Sequence, residues 1–432
     1  MKIDVKEAAL VCPARDTPGG SLWLSDYDLF QPNVHNHTLH FFKPSTIGDG
    51  EITRILKQSL SQVLVPFYPL AGRLGKDENG RIQVECNAKG VMFIVAEADC
   101  SLDEMLGGKL RPNSKSKLLI PTVDYSNDIS SYPISFSTVT YFKCGGMCLA
   151  VSNHHLVADG PSAVHFINSW ASMARGRPIE APVHDRQSIR GLALTSPKFD
   201  HLEFDTSALV SHQKTPPNHI DSSASYLKIS PDQISTLRNK ANAYSDSRKH
   251  SVFESLTAHV WRCACKARGL ADDQRTVLLF AANARPRLRP PLPPLSFGNV
   301  VQVLACAAFS GEILGETLSF TAARIRKTVD GVDDEYIRSG LAFLRDNRHV
   351  SLGHSGRPVT KNPNLEMVSW TQMPLYGMDF GWGNPFYVAP ATIRSEGKGY
   401  ILSGPPEEGG LSLYICLEAP HLELFERLFY DI

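Results

Sequence analysis

Residues 147–161 read Met147-Cys-Leu-Ala-Val-Ser152, then Asn153-His154-His155-Leu-Val-Ala-Asp159-Gly160, then Pro161. An apolar run, a short polar break and a proline at a first-turn position describe a buried strand feeding a helix. The helix extends to Arg175, with Val164, Ile167, Trp170 and Ala171 at helical spacing and Gly176 beyond its end. Upstream, residues 134–142 form a strand that Cys144-Gly145-Gly146 turns back into the 147–152 run. Strand, turn, strand and helix in this order predict a mixed α/β protein.

The same alternation continues outward. Residues 51–64 place Ile52, Ile55, Leu56, Leu60 and Val63 on one helical face, and Pro66 and Pro69 stop that helix. Asn79-Gly80 turns a hairpin between residues 73–77 and 81–86. Residues 176–225 lose periodicity and carry Pro178, Pro182, Pro197, Pro216 and Pro217. A stretch that long without elements is a crossover between domains rather than an internal loop. Beyond it come a strand at 226–229 and two helices opened by the capping boxes Ser230/Gln233 and Ser251/Glu254. Strands follow at 277–281, 365–370, 386–388, 400–402 and 411–417, with a closing helix at 420–429. The expected division is a first domain at 1–180, a crossover at 181–225 and a second domain at 226–432.

The chain has 432 residues, 44 Lys+Arg against 44 Asp+Glu, and 42% hydrophobic residues. That length supports two or three domains at about 100–200 residues each. Zero formal charge argues against a nucleic-acid partner and against wholesale disorder. Lys2, Asp4, Lys6 and Glu7 stand where a signal peptide would be apolar, and no run approaches the ~20 apolar residues of a membrane span. The nine cysteines are odd in number and thinly spread, which suits reduced thiols in a cytoplasmic protein. Cys144/Cys148 and Cys263/Cys265 lack a second correctly spaced pair, so no zinc site is expected.

Chemistry concentrates at 153–160. Three readings compete there on spacing alone. His155 is a general base with Asp159 fixing the backbone; or His154, His155 and Asp159 bind a metal; or both histidines are packed structural residues. Cys148 as a nucleophile is a further option, although it lies in an apolar strand where a thiol is ordinarily core. A second segment, Asp379-Phe380-Gly381-Trp382-Gly383, is a tight turn whose aromatics pin one strand to the next. Its Asp-Phe-Gly triplet lacks the phosphate and catalytic loops of a kinase.

The pair His155-Leu-Val-Ala-Asp159-Gly160 and Asp379-Phe-Gly-Trp-Gly383 resembles the signatures of the plant BAHD acyl-CoA-dependent acyltransferases. Further blocks spread the resemblance over the whole chain: Val65-Pro-Phe-Tyr-Pro-Leu-Ala-Gly-Arg73, Phe297-Gly-Asn299 and Leu428-Phe-Tyr-Asp-Ile432 among them. They look most like the hydroxycinnamoyl-CoA branch that includes shikimate and quinate hydroxycinnamoyltransferases. The resemblance implies two chloramphenicol-acetyltransferase-like domains of mixed β-sheet flanked by helices, joined by the crossover, with a solvent channel between them. It implies a monomer that uses acyl-CoA as co-substrate and a small acceptor, without metal, cofactor or covalent enzyme intermediate.

Carried over residue by residue, the resemblance makes His155 the general base. Asp159 pairs with an arginine, Arg285 or Arg287, with Arg285 preferred, and Thr371 donates to the oxyanion. Asp379 and Trp382 are structural. Thr38, His40 and Arg357 fall at acceptor-binding positions, although His40 replaces the tyrosine of shikimate-using relatives and Arg357 fits only if its loop is shifted. For CoA, the helix start at Ser251 offers backbone N–H groups, with Arg262 and Lys266 further along the same helix. A thioester hydrolase and a non-catalytic binding relative are the competing readings.

Overall fold

The structure is a computed structural model describing residues 1–107, 115–211, 221–244, 248–348, 359–393 and 395–432. The chain divides into two compact units. The first comprises residues 1–192 together with 292–300 and 373–392; the second comprises 193–291, 301–372 and 393–432. The partition therefore differs from a single break at a crossover. The 181–225 stretch is itself divided, and two later segments, one holding Asp379–Gly383, group with the N-terminal part of the chain.

In the first unit a six-stranded sheet runs in the order Ile3–Val11, Val91–Ala98, Ser135–Phe142, Met147–His154, His35–Phe42, Tyr387–Pro390. All neighbours are antiparallel except Val91–Ala98 beside Ser135–Phe142. Met147–His154 lies well inside this sheet and every residue in it is buried, which is why its first five residues read as an unbroken apolar run. Two helices of this unit, Asp49–Val63 and Gly160–Ala174, pack together. Each presents a buried stripe (Ile52, Leu56, Leu60 and Val63; Val164, Ile167, Trp170 and Ala171), and Trp170 Nε1 donates to Leu56 O at 3.1 Å. The predicted hairpin is Arg73–Lys76 with Ile82–Glu85, turned at Gly80 with φ +77°.

The second unit carries its own six-stranded sheet: Val301–Phe309, Arg275–Asn283, Leu365–Ser369, Lys398–Ser403, Leu411–Glu418, Ser222–Ile229. Both pairings of Leu365–Ser369 are parallel and the others antiparallel. Helices Pro231–Ala241 and Val252–Ala267 begin at complete capping boxes, at Ser230 and Ser251 as their sequences predict. Each unit is thus a mixed sheet with helices against it.

Candidate active site

The sheet ends at His154 and the next helix begins at Gly160, so residues 155–159 bridge strand and helix. His155 N–H donates to Val34 O at 2.9 Å, and Val157 N–H to His154 O at 2.9 Å. Asp159 caps the helix: it has extended backbone, φ −78° and ψ 180°, and its Oδ1 accepts from Ser162 N at 2.9 Å. Its Oδ2 accepts from Val300 N at 3.2 Å, and the residue is 2% exposed. His155 is half-buried, whereas His154, Leu156, Val157 and Ala158 are buried.

The adjacent histidines face different surroundings. His154 is fully enclosed, stacked on Tyr132 at 6.1 Å and edge-on to His35 at 4.9 Å. Burial holds its pKa well below the ordinary imidazole value, with the neighbouring His35 and His155 adding to the effect, so His154 is neutral. Cys148 is likewise enclosed, and burial pushes its thiol far above the ordinary value, which removes a thiolate nucleophile at neutral pH. Among the described residues no group of three His, Cys, Asp or Glu side chains is arranged to hold a metal ion.

A polar cluster that the sequence reading missed braces this bridge. Asp28, fully buried, accepts through Oδ1 from the backbone N–H of Asn299 (2.8 Å) and its Nδ2 (2.9 Å), and through Oδ2 from Arg186 Nε (3.0 Å). Ser25 adds its N–H and hydroxyl to Oδ2, each at 2.8 Å. Asn299 Nδ2 also donates to His155 O, and Arg186 Nη2 to Val157 O, both at 2.8 Å. Gly298 has φ +144°, and a Cβ there would lie 2.8 Å from Arg186 Nη2, so both conformation and space demand glycine. The Phe297-Gly-Asn299 block was visible in the sequence; the distant partners Asp28 and Arg186 carried no signal.

The far end of the same helix is fastened by the second motif. Asp379 Oδ1 accepts from Gly381 N (2.8 Å) and Gly383 N (3.0 Å), and Oδ2 pairs with Arg175. Burial alone would raise this carboxyl, but the two amides and the guanidinium outweigh it and hold the pKa below its ordinary value. Gly381 and Gly383 have φ of +115° and +99°. Trp382 stacks on Phe380 at 5.4 Å, and Phe380 meets Trp170 edge-on at 5.2 Å. Asp379–Gly383 is therefore a clamp on the helix.

Thr38 and His40 lie on the strand beside Met147–His154, opposite Val151 and Leu149. Thr38 is half-buried, but His40 is wholly enclosed, with Nε2 2.9 Å from Thr38 Oγ1. Burial pushes its pKa down to about 3. Any influence of His40 on a bound molecule therefore passes through the Thr38 hydroxyl. Arg357 lies outside the described residues.

The remaining candidates lie in the second unit. Thr371 is half-buried, its Oγ1 2.9 Å from Ser369 Oγ. Arg285 is 1% exposed; Arg287 Nη1 donates to Val329 O at 3.0 Å and Val332 O at 2.7 Å. Ser251 is engaged with Glu254 in its capping box, and Arg262 caps the carbonyls of Ile313, Leu314 and Glu316. At 1.5 Å per residue, Ser251 and exposed Lys266 stand about 22 Å apart along the helix. These three residues do not form one phosphate site.

A different cluster has the connectivity of a hydrolase triad. His201 Nδ1 meets Glu203 Oε1, and His201 Nε2 meets Ser339 Oγ, both at 2.9 Å. Yet Ser339 is fully enclosed, and its oxygen accepts from Lys198 N (2.8 Å) and Phe199 N (3.2 Å). Glu203 also accepts from Tyr336 OH at 2.8 Å and Gln302 Nε2 at 3.0 Å. With no approach for a substrate, this cluster is structural and ties the 193–211 segment to helix Asp334–Asp346.

Partly exposed His155 thus stands between a buried strand and a helix that Asp159 caps, with Asp379–Gly383 fastening that helix at its other end. The whole chain, residues 1–432, matches the Transferase family model, and the protein belongs to this family, the BAHD acyltransferases. It is 40% identical over 436 residues to the shikimate O-hydroxycinnamoyltransferase of Nicotiana tabacum, with all of both chains covered. It is 37% identical over 447 residues, again with full coverage, to the hydroxycinnamoyl-CoA:5-hydroxyanthranilate N-hydroxycinnamoyltransferase HHT1 of Avena sativa. Among solved structures, vinorine synthase shares the fold with TM-score 0.76 and 21% identity, covering 98% of this chain and 96% of that one.

Proposed function

We propose that this enzyme transfers a hydroxycinnamoyl group from its CoA thioester to the hydroxyl or amine of a small acceptor, with His155 as general base. The observation that carries this reading is the contrast along the bridge: His155 keeps solvent access where residues 154 and 156–159 are buried. One ring nitrogen takes the acceptor proton as its oxygen or nitrogen attacks the thioester carbonyl carbon. The tetrahedral adduct then collapses, the C–S bond breaks, and the imidazolium returns the proton to the CoA sulfur. Atoms balance without a covalent enzyme intermediate, metal or resident cofactor. A general base of this kind contributes about 10²–10⁴-fold.

Thr371 is the proposed oxyanion donor. For Asp159 we propose Arg285 rather than Arg287, whose Nη1 is held on two carbonyls. Thr38, oriented by His40, and Arg357 are proposed for the acceptor. Lys266 alone of the three residues on the Ser251 helix is carried forward for CoA. We further infer a cytoplasmic monomer. Among the described residues no helix is long and apolar enough to cross a membrane, and all nine cysteines are free thiols.

Incubation with p-coumaroyl-CoA and a panel of hydroxy acids, amines and aromatic alcohols tests the reaction. Mass spectrometry should show an ester or amide together with free CoA. Free coumaric acid as the main product would make the protein a hydrolase, and absence of CoA release would make it a binding protein. Dialysis against a chelator should leave turnover unchanged, and size-exclusion chromatography should give a mass near 47.6 kDa.

A further inference from the structure

We propose that Asp28, Arg186 and Asn299 are positioning residues for the general base, fixing the His155 imidazole by holding the backbone carbonyls of residues 155 and 157. This rests on the reading of His155 as general base and adds the device that aims it.

Residues 155–159 lie where the strand ladder has ended and the helical hydrogen bonds have not begun. Buried carbonyls in such a gap need partners from elsewhere. Asn299 Nδ2 supplies one for His155 O and Arg186 Nη2 one for Val157 O, both at 2.8 Å. The peptide N–H of His155 is held on Val34 O. The residue is therefore pinned on both sides of its Cα, which sets the direction of its Cα–Cβ bond.

Neither donor is free to drift. Asp28 fixes Asn299 through both backbone N–H and side-chain amide, and fixes Arg186 through Nε. Arg186 lies across Gly298, where a Cβ would collide with its guanidinium. Arg186 and Asp28 are 2% and 0% exposed, and Asn299 is 1% exposed, so water does not compete for these bonds. A displacement near 1 Å at a reacting group can cost on the order of 100-fold in rate.

The test compares Asn299→Ala and Arg186→Lys with the unaltered enzyme and with His155→Ala. The lysine variant keeps the charge beside Asp28 and loses the planar fork that reaches Val157 O, so it serves if the alanine variant does not fold. Each is measured for kcat and KM with p-coumaroyl-CoA, melting temperature, and hydrogen exchange of the 150–160 peptide. The expected result for a folded variant is a kcat lower by about 10- to 100-fold with KM for the thioester within about twofold. Faster exchange should be confined to residues 155–158. An unchanged kcat per folded molecule, or a raised KM with kcat intact, overturns the positioning role. Neither variant yielding folded protein also overturns it, because the cluster would then be architecture. Turnover retained in His155→Ala would instead overturn the general-base reading.

Discussion

His155 and His201 sit in clusters of similar composition and opposite consequence. Each has a carboxylate and a serine for company: Asp159 and Ser162 follow His155 along the chain and bond to each other, while Glu203 and Ser339 bond to the His201 ring itself. At His201 every group turns inward, the serine oxygen accepts backbone amides, and no edge of the ring reaches solvent. At His155 the carboxylate is occupied in capping and stitching the backbone, and the histidine itself is only partly buried. Hydrogen-bond connectivity alone would choose the enclosed cluster at His201. What separates them is the burial of the histidine: the second cluster encloses His201 with its partners, whereas in the first Asp159, Arg186 and Asn299 hold the backbone and His155 stays partly exposed.

The comparison breaks most sharply under substitution. His155→Ala should lower transfer by about 10²–10⁴-fold while leaving the melting temperature nearly unchanged; steady-state kinetics and a thermal melt check both halves. His201→Ala should do the reverse. Removing one partner from a buried hydrogen-bonded network leaves the others unsatisfied and costs about 1–3 kcal/mol, read as a lower denaturation midpoint, with kcat per folded molecule unchanged. If His201→Ala abolished turnover in fully folded protein, the distinction drawn between the clusters would fail.

Acid titration sharpens it further. His40 is buried and its pKa is pushed down to about 3, so the unfolded chain binds a proton there more readily than the folded one. Its contribution is present above about pH 6.5 and is lost progressively as pH falls towards 3, amounting to about 2 kcal/mol at pH 5. His184, held down to about 4 chiefly by burial, acts in the same direction. Denaturant melts between pH 7 and 5 should show this fall, and His40→Gln should flatten it. The smallest effect is expected at the clamp. Gly383→Ala, at φ +99°, should cost about 1–2 kcal/mol and leave the thioester KM unchanged.

Much of this was legible in the chain. The 147–175 strand–helix junction, the capping boxes at Ser230 and Ser251 and the hairpin at Gly80 follow from local rules. The His35–Phe42 strand was not read as one, because His35, Asn36, His37 and His40 break the apolar pattern that marks a strand; the three histidines are held there by burial, His37 and His40 also by the Ser152 and Thr38 hydroxyls. Ile3–Val11 escaped for the opposite reason: it is an outer strand, exposed along most of its length, with charges where alternation should show. The Asp28–Arg186–Asn299 cluster joins residues up to 271 positions apart, and no local pattern encodes such a meeting. Arg262 looked like a phosphate ligand because sequence displays charge, whereas its acceptors belong to a neighbouring helix end.

The Tyr387–Pro390 strand, paired with His35–Phe42 at the margin of the first sheet, has a consequence for biogenesis. On the ribosome the N-terminal sheet must wait with an unprotected flank until nearly the entire polypeptide has been synthesised. During that interval a histidine-rich margin is open to pairing with other nascent chains, a recognised route to aggregation. Premature termination before residue 387 should therefore yield insoluble material instead of a smaller working lobe, and recombinant yield should respond to slower elongation and to chaperones.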